Sequence, residues 1–153
     1  MDTVGVEEIK VLVPDDAGLI RLVRNIDALS EDGSTNYTAY LRRESETYLS
    51  FYLGAAPTCE ELVLGNFPQS VFGCDEASAQ TVREVASQFV QADNVYEDSN
   101  DPQHVKVDAP DPLDPIERDD ARRMGTLLAR RANCLNRTRC KDGSEKVSRF
   151  NCP

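Results

Sequence analysis

Tryptophan is absent from the 153 residues, histidine occurs once, and aromatic residues make up only 7%. So few rings provide a poor sugar-stacking platform. The acidic clusters Glu7-Glu8, Asp15-Asp16, Glu44/Glu46, Glu60-Glu61 and Asp119-Asp120 therefore read as solvated surface, not as a glycosidase pair. His104 is the single residue whose ordinary titration falls near neutrality, so a general base would have to be this one. It stands beside a polar linker with no nucleophile elbow or triad signature nearby. No C-x-x-C pair occurs, which with one histidine argues against a structural zinc site. Phosphate-binding G-x-x-x-x-G-K-[ST] and G-x-G-x-x-G loops are missing too. The stretches Asp93 to Asp101 and Asp108 to Asp120 are oxygen-rich but do not fit a calcium-binding loop. No apolar run approaches the roughly 18 residues of a membrane span. The expectation is a chain without metal, cofactor or membrane span, and not an enzyme.

What is present is a division of charge. Through Asp120 the chain holds 8 basic and 25 acidic residues; from Ala121 onward it holds 9 basic and 2 acidic. An acidic body repels phosphates, which argues against nucleic acid as a partner. A cationic tail would find its nearest acidic partner in its own body, present at high effective concentration. The basic residues include two adjacent pairs, Arg122-Arg123 and Arg130-Arg131. Such pairs are where furin- or kexin-type proteases cut. They equally suit the C-terminal part of a helix, where cations favour the dipole.

Cysteine use bears on compartment. The five cysteines are Cys59, Cys74, Cys134, Cys140 and Cys152. With zinc set aside, disulfides are the expected use, implying an oxidising compartment. The odd number leaves one thiol for another chain or without a partner. Asn36-Tyr37-Thr38 and Asn136-Arg137-Thr138 match the N-glycosylation pattern, making Asn36 and Asn136 candidate acceptors. Met1 is followed at once by acidic sequence without a secretory leader. Secretion is expected on the reading that Met1 heads a mature chain.

Along the chain, Val6 to Val13 reads as a strand ended by Pro14. Asp15 or Asp16 then caps a helix bearing Leu19, Leu22, Val23, Ile26 and Leu29 on one face. The runs Asn36 to Arg42 and Thr47 to Leu53 read as a hairpin. The long loop Gly54 to Gly73 needs a restraint. A Cys59–Cys74 bridge would supply one, worth roughly 3 kcal/mol by lowering unfolded-state entropy. Asp75 is expected to cap a second helix with Ala79, Val82, Val85, Ala86, Phe89 and Val90 inward. An acidic linker leads to a short strand at His104 to Val107. Asp114-Pro115-Ile116-Glu117 reads as a helix start. That third helix runs to about Arg131, with Ile116, Met124, Leu127 and Leu128 as its buried residues. An irregular basic tail follows. This order, strand–helix–strand–strand–helix–strand, predicts a ferredoxin-like α/β plait (βαββαβ) with a helical, basic C-terminal extension. The boundaries expected are an acidic α+β domain at 1–107, a Pro/Asp-rich linker at 108–115, and a helix plus cysteine-bearing tail at 116–153 packed on the domain.

In its element order from Val6 to Val107, its two dibasic pairs and its cysteines, the chain resembles the small secreted proteins of fungi. It is similar in particular to killer-toxin-like effectors of plait architecture. The resemblance implies a secreted, disulfide-containing effector that acts by binding a protein of a host or competitor. The binding surface expected is the Cys59–Cys74 loop together with the tail, represented by Phe67, Phe72, Arg137 and Arg139. Two alternatives belong to other classes. One is a precursor whose acidic body shields a cationic peptide until cleavage after Arg131. The other is a small hydrolase or ribonuclease using His104 with a carboxylate and an arginine.

Overall fold

The run Gly18–Val23, GLIRLV, is apolar on two faces, so helical and strand periods fit it about equally. In the computed structural model, which describes residues 10–43, 46–53, 73–136 and 152, this run is a central strand, β1. The chain continues through 3-10 turns at Ile26–Ala28 and Tyr37–Tyr40 to β2 (Tyr48–Leu53) and β3 (Gly73–Ser78). Helix α1 (Ala79–Ala86) and the hairpin strands β4 (Val95–Asp98) and β5 (Asp101–Asp108) follow. The last elements are helix α2 (Arg118–Arg131) and strand β6 (Asn133–Asn136). The six strands form one sheet of order β4-β5-β2-β1-β3-β6, antiparallel at every pairing.

The expected βαββαβ plait with a helical extension is therefore corrected to a six-stranded antiparallel sheet carrying two short helices. Three local readings account for the difference. The first expected helix is β1, because Leu19, Ile20, Leu22 and Val23 are all buried and a strand closed in on both faces has no polar alternation to betray it. The expected strand Asn36 to Arg42 is the second 3-10 turn. Asn36 caps it by accepting from the Thr38 N–H, and the Tyr40 hydroxyl donates to Asp75 at 2.9 Å. Asp75 does not cap a helix; it is buried within β3, where Thr35 Oγ1 also donates to it at 2.8 Å. Ser78 is the cap of α1, its side chain accepting from the Thr81 N–H.

Both helices lie on one face of the sheet. The core joins Leu19 and Val23, Leu49 and Phe51, Val105 and Val107 to Val82, Val85, Met124 and Leu128. Burying each large apolar side chain here contributes about 1.5–3 kcal/mol. Ahead of β1, Val13 donates its N–H to Val95 O, and Glu97 donates to Val11 O. The end of the expected first strand thus covers β4; residues 1–9 lie outside the described residues.

The C-terminal region enters this architecture by packing and backbone pairing. Met124 and Leu128 of α2 are core residues, whereas Ile116, expected to be buried, is 89% exposed. Gly125 lets α2 approach the second 3-10 turn so closely that a Cβ there would lie 2.7 Å from Tyr37 O. Strand β6 pairs with β3, and Cys134 within it is disulfide-bonded to Cys152. Arg131 to Glu84, at 3.2 Å, is an ion pair between the cationic segment and the acidic body. Both side chains are about half exposed, so the pair is worth under about 1 kcal/mol. Among the described residues, hydrophobic burial and strand pairing outweigh charge in holding this region.

Candidate functional site

Alternation along β2 sends Leu49 and Phe51 to the core and Tyr48, Ser50 and Tyr52 to the opposite face. On β5 the same alternation buries Val105 and Val107 and sends His104 and Lys106 outward. Register sets Tyr52 opposite His104 and Ser50 opposite Lys106. The His104 ring lies 5.9 Å from the Tyr48 ring, edge-on, and 5.8 Å from Tyr52. Both spacings are those of favourable aromatic pairs.

The β4–β5 hairpin orients this histidine. A register shift between Glu97 and Asp98 closes the strand pair. It leaves the Asp98 carboxylate 2.8 Å from His104 Nδ1, both side chains largely buried. The hydrogen bond from His104 is the foremost cause holding the Asp98 carboxyl below its usual range, aided by the Asn100 N–H and by Lys106. An ionised Asp98 fixes the Nδ1–H tautomer and leaves Nε2 as acceptor in the neutral ring.

Because Asp98 is depressed in the fold, its stabilisation is present above the unfolded carboxylate value, about 3.9, and is lost as pH falls through the lower folded one. Asp98→Asn is expected to lower stability more at about pH 6 than at about pH 2. Denaturant unfolding of both proteins at the two pH values checks this. Equal losses at both would remove the carboxylate from the account.

Beside His104 a pocket of about 420 Å³ opens between β1, β2 and the second 3-10 turn. Arg21 and Arg24 from β1 and the residue just after it line this pocket, with Arg42, Arg43 and Glu46 from the segment before β2. Arg21 donates Nε to Ala39 O and Nη1 to Ser50 O, each at 2.8 Å, and Nη2 to Leu41 O at 3.4 Å. Burial is the largest cause lowering its pKa, to about 10, with the charges of Arg24 and Arg43 acting in the same direction. It remains a cation at neutral pH. Arg24, donating to the Tyr52 hydroxyl at 3.3 Å, is likewise lowered by burial and then by Arg43. Arg42 is occupied by Asp111, Pro110 O and Glu46 O. Arg43 is half exposed and meets Glu46 at 3.8 Å. Burial raises the Tyr48 phenol, with Glu46 and Asp98 adding to the effect, so it stays protonated. The charges of Arg24 and Arg43 thus disfavour the Arg21 cation, and that of Arg43 the Arg24 cation.

Of the residues weighed for chemistry in the sequence, His104 and Glu46 fall in this pocket. Phe67, Phe72, Arg137 and Arg139 lie outside the described residues, as do Cys59 and Cys140. The Cys59–Cys74 pairing is thus undescribed at its first partner; Cys74 is buried in β3, on the sheet's outer face. Asn36 uses both ends of its amide, with Nδ2 donating to Asp27 O and Oδ1 accepting from Thr38. Asn136 pairs with Cys74 through the backbone of β6. Arg122, Arg123, Arg130 and Arg131 all lie within α2. Proteases take their substrates extended, so cutting at either pair requires this helix to open first. The Cys134–Cys152 bridge would leave with the piece released after Arg131 and would not tether it.

Sequence reasoning missed Arg21, Arg24, Tyr48, Tyr52 and Asp98. Tyr48 and Tyr52 were legible as alternate positions of a correctly placed strand. Arg21 was hidden in a run read as a helix. Among the described residues no group of three His, Cys, Asp or Glu is gathered for a metal, and no helix is long and apolar enough to cross a membrane. No family model, no curated protein and no solved structure matches the chain.

Proposed function

We propose that the chain is a recognition protein whose outer sheet face binds a phosphate ester bearing a planar ring, a nucleoside monophosphate being the type ligand. The convergence of Arg21, Arg24 and Arg43 with the rings of Tyr48, Tyr52 and His104 on one pocket carries the reading. Guanidiniums favour phosphate by charge-assisted, planar hydrogen bonding, and tyrosine and imidazole faces offer stacking to a base. The volume lies within the range of small-ligand sites. A mononucleotide is short enough to avoid the acidic surroundings that oppose a long strand. The effector-type action expected from sequence would then run through capture of such a ligand, in a secreted protein.

Calorimetric titration with AMP, phenyl phosphate and inorganic phosphate tests this. AMP is expected to bind with a Kd below about 1 mM, more tightly than phenyl phosphate, and inorganic phosphate more weakly than either. Arg43→Ala is expected to weaken AMP binding about tenfold, as loss of one hydrogen bond to a charged group would. Absence of saturable binding, or equal binding by Arg43→Ala, contradicts the reading.

The His104–Asp98 pair favours a second reading, phosphodiester hydrolysis with His104 Nε2 as general base. Turnover of an RNA dinucleotide by the wild type, lost in His104→Gln, would support it. No turnover leaves recognition alone.

A further inference from the structure

A second cleft lies in the helical layer. It has a volume of about 730 Å³ and is walled by α2, the turn after α1 and the second 3-10 turn. Along α2, Arg122, Thr126 and Arg130 recur at four-residue spacing and so form one stripe, with Arg123 and Leu127 beside it. Tyr37 and Phe89 supply the aromatic part of the wall. The Arg122 guanidinium stands 6.0 Å over the Tyr37 ring and that of Arg123 5.9 Å over Phe89. Arg123 is matched by Asp120 and Arg131 by Glu84. Among the described residues no carboxylate pairs with Arg122 or Arg130.

The geometry points to this cleft as a docking surface for an acidic peptide segment of a partner protein, one in which carboxylates flank an apolar side chain. Leu127, Phe89 and Tyr37 receive the apolar side chain. Arg122 and Arg130, about two turns or roughly 12 Å apart along the helix, receive carboxylates on either side. Arginines held over aromatic rings are already oriented, which lowers the entropy lost on binding. The choice of a short acidic peptide follows from charge. The chain carries a formal charge of −10, so this basic stripe is a local inversion of sign. Asp119 and Asp120 bound the stripe at the N-terminal end of α2 and would repel a polyanion running on past Arg122, and the apolar floor of Leu127 and Phe89 between the arginines suits a side chain more than a uniformly charged strand.

The surface is separate from the sheet-face pocket, and no residue lines both. A fluorescein-labelled synthetic peptide in which glutamates flank a central leucine–phenylalanine pair serves as probe, read by anisotropy. The wild type is expected to bind it saturably, and Arg122→Glu/Arg130→Glu is expected to weaken it at least about tenfold. AMP binding should stay unchanged in that variant, because neither arginine lines the other site, and melting temperature should fall by no more than roughly 5 °C, because both arginines are exposed and lose only a helix-end charge and one ring contact. The peptide with glutamines in place of glutamates is expected to bind at least about tenfold more weakly. Equal binding of the glutamine peptide, no binding by the wild type, or tighter binding of heparin or single-stranded DNA at the same arginines would each overturn the assignment.

Discussion

Gly125→Val is expected to destabilise the protein by about 2–3 kcal/mol, near the upper end for overpacking a tight contact. The atom a new Cβ would meet is Tyr37 O, at 2.7 Å, with Tyr37 Cβ and Cα at 3.2 and 3.3 Å. A backbone oxygen cannot swing aside as a side-chain end can. Relief therefore requires α2 to withdraw from the 3-10 turn, loosening Met124 and Leu128 in the core. For a chain of this length the loss corresponds to a fall in Tm of roughly 5–10 °C. Gly125→Ala should suffer less, because alanine recovers about 1 kcal/mol of helix propensity. An unchanged Tm for Gly125→Val would mean that α2 does not sit against this turn.

Arg21→Met is expected to lose about 3 kcal/mol, measured by denaturant unfolding. The guanidinium joins β1 to Ala39 O and Leu41 O at the 3-10 turn and to Ser50 O on β2, and the substitution deprives three part-buried carbonyls of a donor at once. Each such loss costs about 1 kcal/mol or more. Methionine keeps most of the apolar volume, so packing against Phe51, over whose ring the guanidinium stands at 5.8 Å, changes little. Arg21→Lys should recover only part of the loss, since an ammonium cannot fork to three separated acceptors. A cost below about 1 kcal/mol for Arg21→Met would show that water replaces these bonds and that Arg21 does not organise the pocket.

What the chain discloses before folding divides along physical lines. Strand β2 was legible because Tyr48 to Leu53 alternates polar and apolar faces, and the buried face of α1 because Ala79, Val82, Val85 and Ala86 follow the helical period. Strand β1 was illegible because it is buried on both faces, and the sole polar member of GLIRLV, Arg21, satisfies itself on backbone carbonyls. Strand β4 looked like acidic linker. Its Tyr96 hydroxyl donates to Asp108 and its Asp98 accepts from His104 across the hairpin, contacts made by strand register and not by any hydrophobic period. The same holds for β6, four residues whose place at the sheet edge comes from pairing with β3. Of the site, His104 could be named from its uniqueness. Its neighbours come together only through the registers of β2 with β5 and β1 with β2.

The most direct test of the outer sheet face as a recognition site is an amide-resolved NMR titration of the wild-type chain with AMP. The account predicts saturating shifts at Arg24, Arg43, Tyr48, Ser50, Tyr52 and His104, with Arg122, Thr126 and Arg130 of α2 unmoved. Shifts centred on α2, or none at any residue lining the sheet-face pocket, would contradict it.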